Sequence, residues 1–127
     1  MPQLSEQKKQ RAYQRCATLP VAIKSFAVQG CWLIGGAVRY MLGDTNELPR
    51  DWDIVCPFYL WANVAVTLPK NAAANSFGGL KFVSDGVEID IWPGEIENVL
   101  IRSMHDGFLP KAINLRYRAV LDLSRLY

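Results

Sequence analysis

Histidine is nearly absent from this chain: His105 is the only one among 127 residues, and a lone histidine in a turn reads as structural. The three cysteines, Cys16, Cys31 and Cys56, are an odd number without zinc-like spacing. They read as reduced thiols of an intracellular protein, with the cytoplasm as the expected compartment. Charge of one sign is lacking too. Fourteen Lys and Arg against twelve Asp and Glu leave a formal net charge of +2, too small to imply nucleic-acid or membrane binding by itself. There is no signal peptide and no apolar run long enough to span a bilayer. Repeats and low-complexity segments are missing as well. What remains is a chain of one expected domain, residues 1–127, half of it hydrophobic and so ample for one core.

The chemistry is concentrated between Cys31 and Val55. Trp32, Leu33 and Ile34 form a short apolar run, as a buried strand should, and Gly35-Gly36 follows at once. Ala37 to Leu42 then has helical character. A strand that turns through glycine into a helix leaves backbone N–H groups pointing at the turn, where a ligand can approach closely and an anion is favoured. Arg39 would add a cation in the first helical turn. The same residues also suit a tight turn with no ligand.

Asp51 and Asp53 flank Trp52, with Ile54-Val55 behind them. On a strand, residues two apart share a face, so two carboxylates aim at one point and repel unless a cation sits between them. Hard oxygen ligands suit Mg²⁺, which takes one or two carboxylates and completes its shell with waters and phosphates. Two solvated acids at a strand end is the plain alternative. A further acid pair stands in Val87-Glu88-Ile89-Asp90-Ile91-Trp92, where Glu88 and Asp90 face one way and Val87, Ile89 and Ile91 the core. Acid positions on neighbouring strands beside a glycine turn make up the elements of a two-metal phosphoryl-transfer site.

Gly35-Gly36-Ala37-Val38-Arg39 followed by Asp51-Trp52-Asp53 resembles the signature of the DNA polymerase beta-like nucleotidyltransferase superfamily, and within it the head domain of tRNA CCA-adding enzymes and bacterial poly(A) polymerases. Those heads read Gly-Gly-x-Val-Arg-Asp, a short gap, then Asp-x-Asp. Ala112-Ile113-Asn114-Leu115, with Leu121-Asp122-Leu123 behind it, resembles the family's Thr-Ile-Asn-Ala segment and the strand after it. Phe77-Gly78-Gly79-Leu80-Lys81-Phe82 and Ile89-Asp90-Ile91-Trp92 resemble small stand-alone members of the superfamily. The resemblance covers roughly residues 27 to 127. It implies transfer of a nucleoside monophosphate from an NTP to a hydroxyl, on RNA such as a tRNA 3′ end, on a protein or on a small molecule. Asp51, Asp53 and Asp90 would be the catalytic and metal-binding acids for two Mg²⁺ ions, with Mn²⁺ able to substitute. Gly35, Gly36, Arg39 and Lys111 would bind the nucleotide, and Glu88 would stand at the edge of the site.

Two departures bear on that expectation. Tyr40 stands where the family has Asp after its Arg. The family's Arg-Arg-Asp-Phe-Thr is replaced by His105-Asp106-Gly107-Phe108-Leu109-Pro110-Lys111, leaving Lys111 as the basic candidate for a triphosphate contact. The family's neck and body domains have no counterpart in these residues, which argues against CCA addition by this chain alone; a catalytic subunit whose substrate-binding half lies on another chain is one alternative. A fold retained for binding a nucleotide or a partner protein is the alternative to an enzyme.

For the rest of the chain, residues 1–18 read as a basic amphipathic helix capped by Ser5, and Pro20 to Ala27 as a second helix. Together, residues 1–26 form an N-terminal helical part and residues 27–127 the catalytic core. Phe58 to Val66 reads as a helix whose aromatics are core, 68–76 as a loop or fraying helix, and Phe77–Val83 as a strand. That strand pairs with Val87–Trp92 across a three-residue Ser84-Asp85-Gly86 connection. Glu95 to Met104 reads as a helix, and Ala112 to Tyr117 as a strand that continues through Leu121 and Leu123 after a bend. The expected fold class is α/β in the α+β sense, a mixed sheet with helices mostly on one face.

Overall fold

The computed structural model describes residues 6–107 and 111–122. The chain begins with α1 (Glu6–Arg15), a 3₁₀ turn at Cys16–Thr18 and α2 (Val21–Gln29). Next come β1 (Trp32–Ile34), α3 (Gly36–Leu42), β2 (Asp51–Cys56) and α4 (Phe58–Ala65). The strands β3 (Ala73–Ala74), β4 (Leu80–Ser84) and β5 (Val87–Pro93) precede α5 (Ile96–His105), and β6 (Lys111–Asn114) and β7 (Ala119–Asp122) follow it. The expected cap Ser5, the segment Phe108 to Pro110 and Leu123 lie outside the described residues.

The strands form one seven-stranded sheet in the order β3-β4-β5-β2-β1-β6-β7. Among the described residues, only β2 and β5 pair in parallel; the other neighbour pairs are antiparallel. The fold is therefore α+β with a mixed sheet, as the sequence pattern implies. Alternation assigns the two faces. Leu33, Trp52, Ile54, Cys56, Phe82, Ile89, Ile91 and Ile113 pack into a large core with Ala12 of α1, Ile23 and Phe26 of α2, Val38 and Met41 of α3 and Val64 of α4. Ile34, Val55, Trp92 and Ala112 point the other way, onto Leu100 of α5. Four helices thus cover one face, and α5 covers part of the other. The acids lie on that second face, beside the α5 contact.

Several elements differ from the sequence expectation. The segment read as a loop or fraying helix contains the edge strand β3, paired with β4 through Ala73–Lys81 and Ala74–Leu80. No hydrophobic period marks two alanines on a sheet edge. The strand expected from Phe77 starts only at Leu80. Asn75 holds Phe77–Gly79 in a turn, its side-chain oxygen accepting from the backbone N–H of Phe77 (3.0 Å) and of Gly79 (2.8 Å). The strand expected from Ala112 to Tyr117 stops at Asn114. Its side-chain oxygen accepts from the backbone N–H of Tyr117 (3.3 Å), a local bond that closes a turn and folds β7 back on β6. In α4, Leu60 and Trp61 pack on the core as expected, but Phe58 and Tyr59 are 60% and 68% exposed.

The β4–β5 hairpin forms where expected, with a shorter connection. Ser84 pairs directly with Val87, so the loop is Asp85-Gly86 alone. Both residues have positive φ, 52° and 78°. A two-residue turn of this hand matches the twist of its strands and favours Asp-Gly. The difference of one residue decides which face each β4 side chain takes.

Lys8 and Arg15 of α1 reach the end of α3 and the loop after it, while Lys9 pairs with Glu6 within the helix. Lys8 pairs with Asp44 at 2.9 Å. The Arg15 guanidinium donates to the carbonyl of Tyr40, to the carbonyl of Thr45 (3.1 Å) and to the side-chain oxygen of Asn46 (2.9 Å). It also lies over the Tyr40 ring, 4.5 Å from its centroid. Tyr40 in turn meets Trp52 edge-on, at 6.3 Å between centroids. The residue standing where the resembling family has an acid is thus part of the brace between α1, α3 and β2.

Candidate functional site

The site is built on the central parallel pair. Asp51 faces Glu88 and Asp53 faces Asp90 across β2 and β5. On the other side of Asp90 stands Lys81 of β4, and Ile34 at the end of β1 is the partner of Asp53. Cross-strand partners share a sheet face, so four carboxylates and the Lys81 ammonium occupy one side of three adjacent strands. A hairpin with a three-residue connection would have set Lys81 opposite Ile89, on the opposite face. The Asp85-Gly86 turn brings it to the acids instead.

The glycine turn abuts this group. Gly35 has φ +65°, and a Cβ built on it would lie 3.0 Å from Oδ2 of Asp53. The carboxylate therefore rests against bare backbone, and any side chain at Gly35 would be both strained and crowded. Gly35, Gly36 and Arg39 are all exposed, so the turn is open to solvent. At Gly36 a Cβ would meet only Pro49, at an ordinary 3.6 Å.

Electrostatics follow from this crowding. Burial, then the charges of Asp90 and Asp51, push the Asp53 carboxyl up from 3.8 to about 6, with Lys81 pulling the other way. Glu88 is also raised, first by its hydrogen bond with Asp51 and then by that residue's charge. Like charges held together disfavour full ionisation unless a cation or a shared proton intervenes. Asp90 is anchored from outside the strand pair. The Asn75 amide donates to its Oδ1 at 2.5 Å and also to the carbonyl of Ile91 at 3.3 Å.

The donor set suits a divalent cation in its chemistry: hard carboxylate oxygens, mutual repulsion that a cation relieves, and one face open beside a glycine turn. Among the described residues, however, no group of three or more His, Cys, Asp or Glu side chains stands together closely enough to hold a metal ion. The carboxylates are arranged as two register pairs, Asp53 with Asp90 and Asp51 with Glu88. That pairing aligns Asp90, and not Glu88, with the carboxylate that lies on the glycine turn.

Of the residues expected to bind nucleotide, Lys111 is not brought to the acids. It begins β6, two strands from β2, and lies opposite Asp122. Its neighbour Ala112 pairs with Ile34 on the acid face, so alternation turns Lys111 to the other side. A sequence resemblance places the segment and says nothing of the face its side chains take. Lys81 is the cation that the sheet supplies, and the Asp85-Gly86 turn is the signal that would have located it. Asn75 has no signal in the sequence, since an Ala- and Asn-rich stretch carries no periodic mark.

Comparisons with models of protein families, with curated proteins and with solved structures find no match. What the fold and the site define is an α+β chain with an acid-lined, partly open sheet face next to a glycine turn. No helix among the described residues is long and apolar enough to cross a membrane.

Proposed function

We propose that this chain is a metal-dependent nucleotidyltransferase, moving a nucleoside monophosphate from an NTP to a hydroxyl acceptor. The observation that carries the reading is the register of Asp53 with Asp90, with the Asp53 carboxylate resting on Gly35. Asp53 and Asp90 would hold Mg²⁺ or Mn²⁺, with Asp51 on the same face beside them, and the metal would supply activation of the acceptor hydroxyl and charge relief for the leaving pyrophosphate. The exposed Gly35-Gly36 backbone would let the phosphates approach the acids closely. Lys81, facing Asp90, would balance negative charge as the phosphates enter, and Arg39 offers a second cation from α3. Asn75 holds Asp90 in one orientation. Glu88, opposite Asp51 and exposed, would stand at the edge of the site instead of taking a ligand position.

The acceptor is left open among RNA, a protein side chain and a small molecule. A cytoplasmic setting and a partner chain that recognises the acceptor belong to the same proposal. The test is incubation of the protein with each labelled NTP, Mg²⁺ or Mn²⁺, a tRNA pool and cell lysate. Label on a macromolecule or small acceptor, lost in Asp53→Asn, supports transfer.

A non-catalytic nucleotide- or partner-binding module is the second reading. Two observations favour it: the acids form pairs without a three-ligand group, and Lys81 stands across from Asp90 on the neighbouring strand, bringing a positive charge to the acid face. Nucleotide binding without transfer to any acceptor would select it.

A further inference from the structure

The turn from Asn75 to Gly79 holds an aromatic ring in the open. Phe77 stacks on Trp92 with 4.8 Å between centroids and 29° between planes, yet it is 57% exposed. One ring face is covered by Trp92 and the other faces solvent. The turn is fixed at several points. Besides the two bonds to its side-chain oxygen, the Asn75 backbone N–H donates to the carbonyl of Gly79 at 3.0 Å. A Cβ at Gly79 would lie 2.0 Å from the Ile91 carbonyl oxygen and 2.5 Å from the Trp92 Cα, so only glycine lets the turn press this closely on β5. Gly78, next in the turn, has φ +82°, a backbone conformation that side chains rarely adopt.

The position of this ring relative to the acids gives it meaning. Trp92 lies two residues beyond Asp90 on β5, on the same sheet face, about 6–7 Å along the strand. Asn75 connects the two directly, since its amide donates to Asp90 and its carbonyl oxygen accepts from Phe77. Among the described residues, the other exposed aromatics, Phe58, Tyr59 and Tyr117, belong to the start of α4 and to the β6–β7 turn. Phe77 is thus the exposed ring tied to the carboxylates. A rigidly held π-face next to a phosphate-handling site suits a flat heterocycle, because base–aromatic stacking tolerates any base and gains with ring area.

We propose that the outward face of Phe77 is the platform on which the base of the bound nucleotide stacks, with purines held more tightly than pyrimidines. The proposal rests on the reading of the acid face as a nucleotide site. Asn75 then couples two functions, orienting Asp90 at the phosphates and Phe77 at the base.

The experiment is calorimetric titration of the full chain with ATP, CTP and inorganic tripolyphosphate in excess Mg²⁺, for the parent, Phe77→Leu and Phe77→Trp. Leucine keeps an apolar cover on Trp92 but has no π-face, and circular dichroism checks that both variants fold. The parent should bind ATP more tightly than CTP or tripolyphosphate. Phe77→Leu should lose about tenfold or more in ATP affinity while tripolyphosphate binding is unchanged, and Phe77→Trp should restore it. Equal ATP affinity in the parent and Phe77→Leu overturns the platform and leaves the phosphate site standing. Equal losses for ATP and tripolyphosphate overturn it too, since Phe77 would then serve only to support the turn. If the parent binds neither ATP nor tripolyphosphate, the nucleotide reading fails and the platform fails with it.

Discussion

Asp53 and Asp90 face each other across the one parallel strand pair of the sheet, and Asp53 carries the charge penalty of that arrangement. Its carboxyl is raised to about 6 from 3.8, first by burial and then by Asp90 and Asp51. The consequences of this relationship can be measured.

The first concerns pH. Asp53 holds its proton more tightly in the folded chain than in the unfolded one. The stabilisation from that proton is complete below pH 3.8 and is lost as pH rises through about 6. Asp53→Asn removes the dependence. In metal-free buffer the variant should exceed the parent in stability by about 1–2 kcal/mol at alkaline pH, after allowance for solvent screening. The advantage should shrink toward acid pH. Urea unfolding from acid to alkaline pH is the measurement, and a stability difference independent of pH would contradict the account.

The second concerns the cation. Lys81 shares the acid face and Lys111 does not. Lys81→Met should weaken NTP binding about tenfold, of the order expected for one charge-assisted contact. Lys111→Met should leave it within about twofold. Titration with NTP and Mg²⁺ separates the two, and the reverse ranking would mean that the phosphates approach from the β6 side.

The third concerns the brace on α1. Arg15→Ala removes a guanidinium that donates to Tyr40, Thr45 and Asn46 and lies over the Tyr40 ring. A loss of about 1–3 kcal/mol is expected, as for a part-buried charged donor with several acceptors. The readout is the urea midpoint at neutral pH. An unchanged midpoint would show that α1 is not held to α3 by this residue.

Much of this architecture could be read directly from the chain. The β1-turn-α3-β2 order follows from an apolar triplet, two glycines, a helical stretch and an alternating acidic strand. The shared face of Asp51 with Asp53 and of Glu88 with Asp90 follows from strand alternation alone. Which pair faces which does not, because parallel register depends on tertiary packing and not on any turn. The hairpin was legible as an event, but its register was off by one residue. Asp85-Gly86 supplies two positive-φ positions and needs no third, so Lys81 lands on the acid face. Asn75 and the Ala73–Ala74 edge strand have no periodicity to read, and their role emerges only when Gly79 packs against β5. Tyr40 is a departure from a motif in sequence and a brace in three dimensions, a difference visible only once Arg15 is in position above its ring.

The most direct measurement is binding of Mn²⁺ in the presence of a nonhydrolysable NTP analogue, followed by the loss of the free-ion electron paramagnetic resonance signal. Parent, Asp90→Asn and Glu88→Gln would be compared. With Asp90 paired to Asp53 on the glycine turn, and Glu88 paired to Asp51 at the exposed edge, the parent and Glu88→Gln should both bind the ion, with affinities within a few-fold of each other. Asp90→Asn should lose tenfold or more, in keeping with loss of a ligand carboxylate. No nucleotide-dependent binding of Mn²⁺ by the parent, or a greater loss in Glu88→Gln than in Asp90→Asn, would contradict the assignment of this carboxylate face as a metal–nucleotide site centred on Asp53 and Asp90.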